Sequence, residues 1–211
     1  MSGLQALKEA EAGCSRCSLY LHATQVVPGE GPADARLMFV GEQPGDAEDI
    51  RGLPFVGPAG RLLDRAIADA GLDRIRIFVT NAVKHFKFAQ RGKRRLHKRP
   101  DAYEIDRCRW WLDQERAIVE PAIVVALGAT AARGVLGRSV TISKVRGEIL
   151  EDNDGGRVLI TVHPSYLLRI QGDDEREEAY RSFVQDLRVC AEALERLDRQ
   201  QPLNGAPDGK R

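Results

Sequence analysis

No stretch of this chain stays apolar for more than five or six residues; residues 37–40 and 123–127 are among the longest. Crossing a bilayer takes roughly 20, so a membrane span is excluded. The N-terminus is polar and has no apolar signal core, which leads us to expect a cytoplasmic protein. A dominant charge is missing too. With 32 Lys and Arg against 31 Asp and Glu, the formal net charge is only +1. Any attraction to a polyanion must therefore come from how the charge is distributed. Cysteine is scarce, at four residues. Cytoplasmic thiols stay reduced, so a disulfide framework is not expected, and metal binding or plain burial remain. There is no Gly-x-x-x-x-Gly-Lys-Ser/Thr loop and no Gly-x-Gly-x-x-Gly opening a helix, so a nucleotide-phosphate enzyme has no support. No internal repeat is found.

What is present alternates between two periods. Short apolar runs lie at residues 36–41, 75–80, 121–128 and 157–162 and read as buried strands ending in polar or glycine residues. Between them, Leu62, Leu63, Ala66, Ile67 and Ala70 recur at helical spacing. Residues 101–120 read as a helix with Ile105, Cys108, Trp111 and Leu112 on one face. An Ala-rich helix stops near Gly137, and a closing helix runs over about 174–197. Residues 147–150 suggest a further edge strand. Strands alternating with helices imply an α/β fold: one domain over 1–199, a three-layer α/β/α sandwich around a mainly parallel four-stranded sheet. Residues 200–211 are polar with Pro and Gly and read as a disordered tail. Ligands of such sheets bind beyond the carboxyl ends of the strands. The polar segments starting at Gly41, Asn81 and His163 each follow a strand, so they are expected to converge there.

Charge concentrates in one place. Residues 84–99 carry Lys84, Lys87, Arg91, Lys93, Arg94, Arg95, Lys98 and Arg99 and no acid, which reads as a basic loop for an anionic ligand. Cys14-Ser-Arg-Cys17, near the N-terminus, is ambiguous between redox, zinc and cluster chemistry. Cys190 falls on an apolar helical stripe with Tyr180, Phe183, Leu187 and Leu194 and reads as a core thiol.

Five segments stand in a recognisable order: Cys14-x-x-Cys17, Gly41-Glu-Gln-Pro-Gly45, Pro54-Phe-Val-Gly-Pro-Ala-Gly60, Thr80-Asn-Ala-Val-Lys84 and Val162-His-Pro-Ser165. Together they resemble the uracil-DNA glycosylase superfamily, and its family-4 iron–sulfur branch in particular. Two departures point further. His85 stands where family-4 members carry cysteine, and Lys93-Arg-Arg-Leu-His97 forms an insertion. With Gln43, this resembles the X-type branch (UdgX), whose members become covalently joined to uracil-containing DNA.

The resemblance implies four metal ligands, Cys14, Cys17, His85 and Cys108. Three thiolates and an imidazole suit structural zinc or a cluster with one histidine ligand; the resemblance favours [4Fe–4S]. It also implies that uracil is extruded from a duplex or met in a single strand. Phe55 is then the stacking plate, Asn81 reads O4 and N3–H of the base, and Gly41, Gly45 and Ser165 line its pocket. His163 stabilises the uracil anion at O2. Leu167 and Leu168 occupy the wedge positions, while Lys93, Arg94 and Arg95 meet phosphates.

Gln43 takes the place of a catalytic Asp found in some branches, and an amide is no base near neutral pH. Water activation then falls to Glu42 or Asp46. Alternatively His97 attacks deoxyribose C1′ while Glu42 takes the proton from its other ring nitrogen, leaving a persistent single-turnover adduct. A conventional multiple-turnover glycosylase is one alternative. The other is a non-catalytic nucleic-acid-binding module using the basic loop alone. The expected partner is uracil-containing DNA, with uracil as released product and no membrane. A monomer is expected, associating with the nucleoid when on DNA.

Overall fold

A computed structural model describes residues 3–152 and 154–200. The proposed tail from 201 onward lies outside the described residues, whereas Gln200 closes the last helix. The chain begins with helix α1 (Gly3–Ala12) and reaches strand β1 (Leu37–Gly41). Helices α2 (Asp46–Arg51) and α3 (Pro58–Asp69) lead to β2 (Ile77–Asn81). Next come β3 (Phe88–Arg91), β4 (Arg94–His97) and the long α4 (Ala102–Val119). Strand β5 (Ile123–Leu127) precedes α5 (Ala129–Leu136), α6 (Ile142–Val145) and β6 (Ile149–Glu151). Strand β7 (Arg157–Thr161), the single turn α7 (Pro164–Leu167) and α8 (Asp173–Gln200) complete it.

The central sheet runs β2-β1-β5-β7-β6. Four strands are parallel, and β6 pairs antiparallel to β7. The sheet thus has five strands rather than four. The fifth is the edge strand suggested near 147–150, displaced by two residues. Both faces are covered, so each core strand is apolar throughout rather than alternating. Phe39, Val79, Val125 and Leu159 face α3 and α8, while Met38, Phe78, Val124 and Val158 face α4 and α5. The α/β/α sandwich follows from this two-sided burial.

At the β2 edge, Glu30 exchanges both backbone hydrogen bonds with Val79, each at 2.8 Å. The Gly/Pro stretch makes this possible: a Cβ on Gly29 would stand 2.4 Å from the Phe78 ring, and one on Gly31 2.6 Å from the Ile77 carbonyl oxygen. Two elements differ from the sequence reading. The N-terminal segment forms α1, which packs on α4. The basic loop is a β-hairpin, β3–β4, closed by Gly92-Lys93, with Gly92 at φ 58 as the first residue of such a turn requires. Among the described residues no helix is long and apolar enough to cross a membrane.

Candidate active site and cysteine cluster

Strands β1 and β5 are neighbours, yet their following connections leave in opposite directions, toward β2 and toward β7. That switch point leaves a crevice at the carboxyl ends of the strands. A cleft of about 540 Å³ opens there, lined by Gln43, Phe55, Asn81, His97, His163 and Ser165 among others. An adjoining 320 Å³ space adds Glu42, Arg99 and the β5–α5 turn. The segments after β1, β2 and β7 do converge.

Gly41 and Asn81 end neighbouring strands in direct register. A Cβ on Gly41 would lie 2.4 Å from Asn81 Oδ1 and 2.6 Å from Phe55 Cζ, so only glycine lets amide and ring meet there. Phe55 itself adopts φ 57, a left-handed conformation that costs a bulky residue about 1 kcal/mol or more. Its carbonyl is pressed so close to Gly60 that a Cβ there would stand 1.7 Å from it. Glu48 holds the surrounding loops. Its carboxylate accepts the Gly57 N–H at 2.7 Å and the Gly45 N–H at 3.1 Å. Sequence reading missed Glu48, although its place three residues after Gly45 marks it as a cap for α2.

His163 is locked in one tautomer. Its Nδ1 accepts the Ser165 backbone N–H at 3.1 Å and lies 2.8 Å from Ser165 Oγ. The proton is therefore on Nε2. Burial, reinforced by His97 and Arg169, pushes its pKa down to about 4, so the ring is a neutral N–H donor near pH 7.

The hairpin brings His97 to the same cleft. Gln43 clamps the hairpin's base: its Nε2 donates to the Lys87 and Lys98 carbonyls at 3.1 and 3.0 Å, and its Oε1 accepts the Lys87 N–H at 3.1 Å. Both N–H donors of the amide are consumed in holding the hairpin's base. Arg95 is a second clamp. It donates to Asp46 Oδ1 at 2.6 Å and Asp49 Oδ2 at 2.5 Å, and its guanidinium covers Phe86 and Phe88. Asp46 is thereby tied to the hairpin through Oδ1 while its side chain stays half exposed at the cleft. Glu42 faces His97: Oε1 stands 3.3 Å from His97 Nε2, and Oε2 accepts the Thr130 hydroxyl at 2.6 Å.

Cys14, Cys17 and Cys108 lie together in a buried cluster with Ile105 and Trp111. Two of the sulfurs accept an N–H: Trp111 Nε1 on Cys14 at 3.0 Å and Lys84 N on Cys108 at 3.2 Å. Burial first, with the neighbouring thiols adding to it, pushes Cys108 up to about 12. Such a set cannot hold several thiolates without a compensating cation, and it carries the donors that ligated sulfurs need. His85 is buried and driven toward its neutral, ligating form by that burial. By chemical type, three thiols and a neutral imidazole suit a zinc or iron–sulfur centre. Among the described residues, no three His, Cys, Asp or Glu side chains converge closely enough to hold a single metal ion.

The family description Uracil DNA glycosylase superfamily matches residues 28–188. A type-4 uracil-DNA glycosylase of Thermotoga maritima is 37% identical over 188 residues, 86% of this chain and 94% of that protein. One from Archaeoglobus fulgidus is 32% identical, covering 87% and 92%. A type-5 uracil-DNA glycosylase of Pyrobaculum aerophilum is 32% identical over 67% and 66%. The chain belongs to the uracil DNA glycosylase superfamily. Its function is uracil-DNA glycosylase activity in DNA repair.

Membership sharpens which expected DNA contacts this glycosylase has free. Leu167 is fully buried in the core beneath α3 and α8, so it is unavailable as a wedge, while Leu168 is 47% exposed at the cleft rim. Half of the eight cations in 84–99 are engaged within the protein. Lys84 is wholly buried on Glu115 at 2.6 Å, and Lys87 bonds Glu104 and Asp101. Arg95 is the clamp described above, and Arg99 donates to Thr130 at 3.1 Å. The acids paired with them come from the segment after β1, from α2, and from α4 and its N-cap Asp101. Arg91, Lys93, Arg94 and Lys98 stay exposed. Cys190 is buried in the core, its thiol pushed up to about 12 by that burial.

Proposed function

We propose that this chain flips uracil out of DNA, excises it, and retains the deoxyribose on His97 as a persistent adduct. The supporting observation is that Glu42 and His97 stand 3.3 Å apart in the cleft that also holds Asn81 and the neutral His163. The base stacks on Phe55, and Asn81 accepts N3–H while donating to O4, a pattern that cytosine reverses. Gly41, Gly45 and Ser165 shape the pocket around it. As the C1′–N1 bond breaks, its electron pair leaves with uracil, and His163 Nε2–H donates to the charge on O2. The sugar is left as an oxocarbenium ion. The His97 nitrogen turned away from Glu42 supplies its lone pair to C1′, and the proton on the nitrogen facing Glu42 passes to that carboxylate. The product is a neutral N-linked imidazole, whose departure needs reprotonation, and this makes the bond last. Leu168 fills the gap left by the base, and Lys93 and Arg94 hold phosphates.

The N-terminal segment is held by a metal centre in this reading: Cys14, Cys17, Cys108 and His85 ligate a [4Fe–4S] cluster, with zinc as the alternative. Its chemistry is structural, fixing α1 and the segment before the hairpin to α4. The partner is uracil-containing DNA, taken single-stranded or flipped from a duplex by a monomer.

The test is a denaturing gel of the chain mixed with uracil-containing single-stranded DNA. A shifted band that survives heat and detergent, and that disappears in His97→Ser, is expected. Free abasic DNA without a shifted band would instead support multiple-turnover hydrolysis, with Glu42 activating water.

A further inference from the structure

The reading above gives no role to the buried hydroxyl beside Glu42. Thr130 is 1% exposed and sits between alanines at the start of α5, where alanine or valine would suit the packing. A buried hydroxyl in an apolar layer is unfavourable unless it is bonded. This one is bonded twice, in a fixed direction. Arg99 Nε donates to Thr130 Oγ1 at 3.1 Å, and Thr130 Oγ1 donates to Glu42 Oε2 at 2.6 Å. Guanidinium can only donate, so the threonine oxygen must accept there, and its single proton must point at the carboxylate. That hydrogen bond stops the carboxylate from rotating. Oε1 is thereby left 3.3 Å from His97 Nε2. The contact also spans the β1–β5 switch point, joining the segment after β1 to the one after β5.

We infer that Thr130, oriented by Arg99, is a positioning residue that aims Glu42 at His97 and thereby sets the rate of covalent capture. This rests on the covalent reading above. Uracil departure draws on His163 and Asn81, which Thr130 does not touch; capture draws on the Glu42–His97 pair, which it does. Changing Thr130 therefore separates the two steps.

The experiment measures uracil release and adduct formation in parallel under single-turnover conditions, on a uracil-containing single-stranded oligonucleotide. It compares the full chain with Thr130→Val and Thr130→Ser. Valine keeps the shape and removes the hydroxyl. Adduct formation should fall about tenfold, as expected for losing one hydrogen bond to a charged group, while uracil release falls less than twofold and abasic product accumulates. Serine should restore the adduct rate to within about twofold, since it keeps the donor. Valine at full adduct rate would overturn the assignment of Thr130, as would an equal loss of both steps that serine fails to rescue. If the wild-type chain forms no adduct, the covalent reading falls first and takes this inference with it.

Discussion

At the residue scale the outcome turns on which polar groups are already committed. His163 is the clearest case, because two bonds to Ser165 dictate where its proton lies. Replacing it with alanine removes the donor at uracil O2, and uracil release should fall roughly 10²–10³-fold, as for other single donors to a developing anion. Its lowered pKa has a second consequence. Between the ordinary value near 6.5 and about 4, the unfolded chain binds a proton that the folded chain refuses. Stability contributed by the neutral ring is therefore full above that window and lost as pH falls through it. Urea midpoints at pH 7 and pH 5 should differ less in His163→Asn than in the wild type; an unchanged difference would assign the slope to other groups.

Lys84 makes the opposite point. Read in sequence it opens a cationic run, yet it is wholly buried between Thr80 and Glu115, with Glu115 also accepting the Gly29 N–H at 2.9 Å. Removing one partner strands a buried charge. Glu115→Ala should cost on the order of 3–5 kcal/mol in urea unfolding, and a cost below 1 kcal/mol would show that Lys84 reaches solvent.

At the element scale the informative unit is the hairpin. Its strands are short and carry three arginines, Arg91, Arg94 and Arg95, with none of the apolar alternation that announces a strand. They pair because Gly92 permits the turn and because Gln43, Arg95 and Lys87 fasten the hairpin to the sheet and to helices α2 and α4. Two kinds of cation follow, and they should behave differently. Lys93→Ala or Arg94→Ala should weaken DNA binding for any flanking sequence and lower the salt slope by about one unit each. Arg95→Ala should leave the salt slope nearly intact and impair adduct formation instead, because it loosens the strand carrying His97. Titrations of DNA binding against salt, run beside the gel assay, separate the two. A full unit lost from the slope in Arg95→Ala would return that residue to the phosphate contacts.

At the scale of the whole molecule, the cysteine cluster joins parts that the sheet does not. Cys14 and Cys17 lie beyond α1, and Cys108 is on α4. A ligated centre there would tie the first 20 or so residues to the sandwich, and its loss would belong to folding as much as to chemistry. Cys108→Ser should purify with less bound metal and melt at lower temperature by circular dichroism. Iron content with absorbance near 400 nm distinguishes a cluster from zinc. A variant with full metal content would remove Cys108 from the ligand set.

The alternation of apolar runs with helical spacing was sufficient to define the sandwich, because burial on both faces leaves its mark on every core strand. The strand-end motifs likewise announced a shared cleft, since parallel strands place their carboxyl ends together. What local sequence could not decide was which of its charges were already answered. Asp46, Asp49, Glu104 and Glu115 neutralise cations 17 to 49 residues away, and Leu167 and Leu168 differ only in which side of one short turn faces the core. Those pairings depend on distance through space, and only the folded chain sets it.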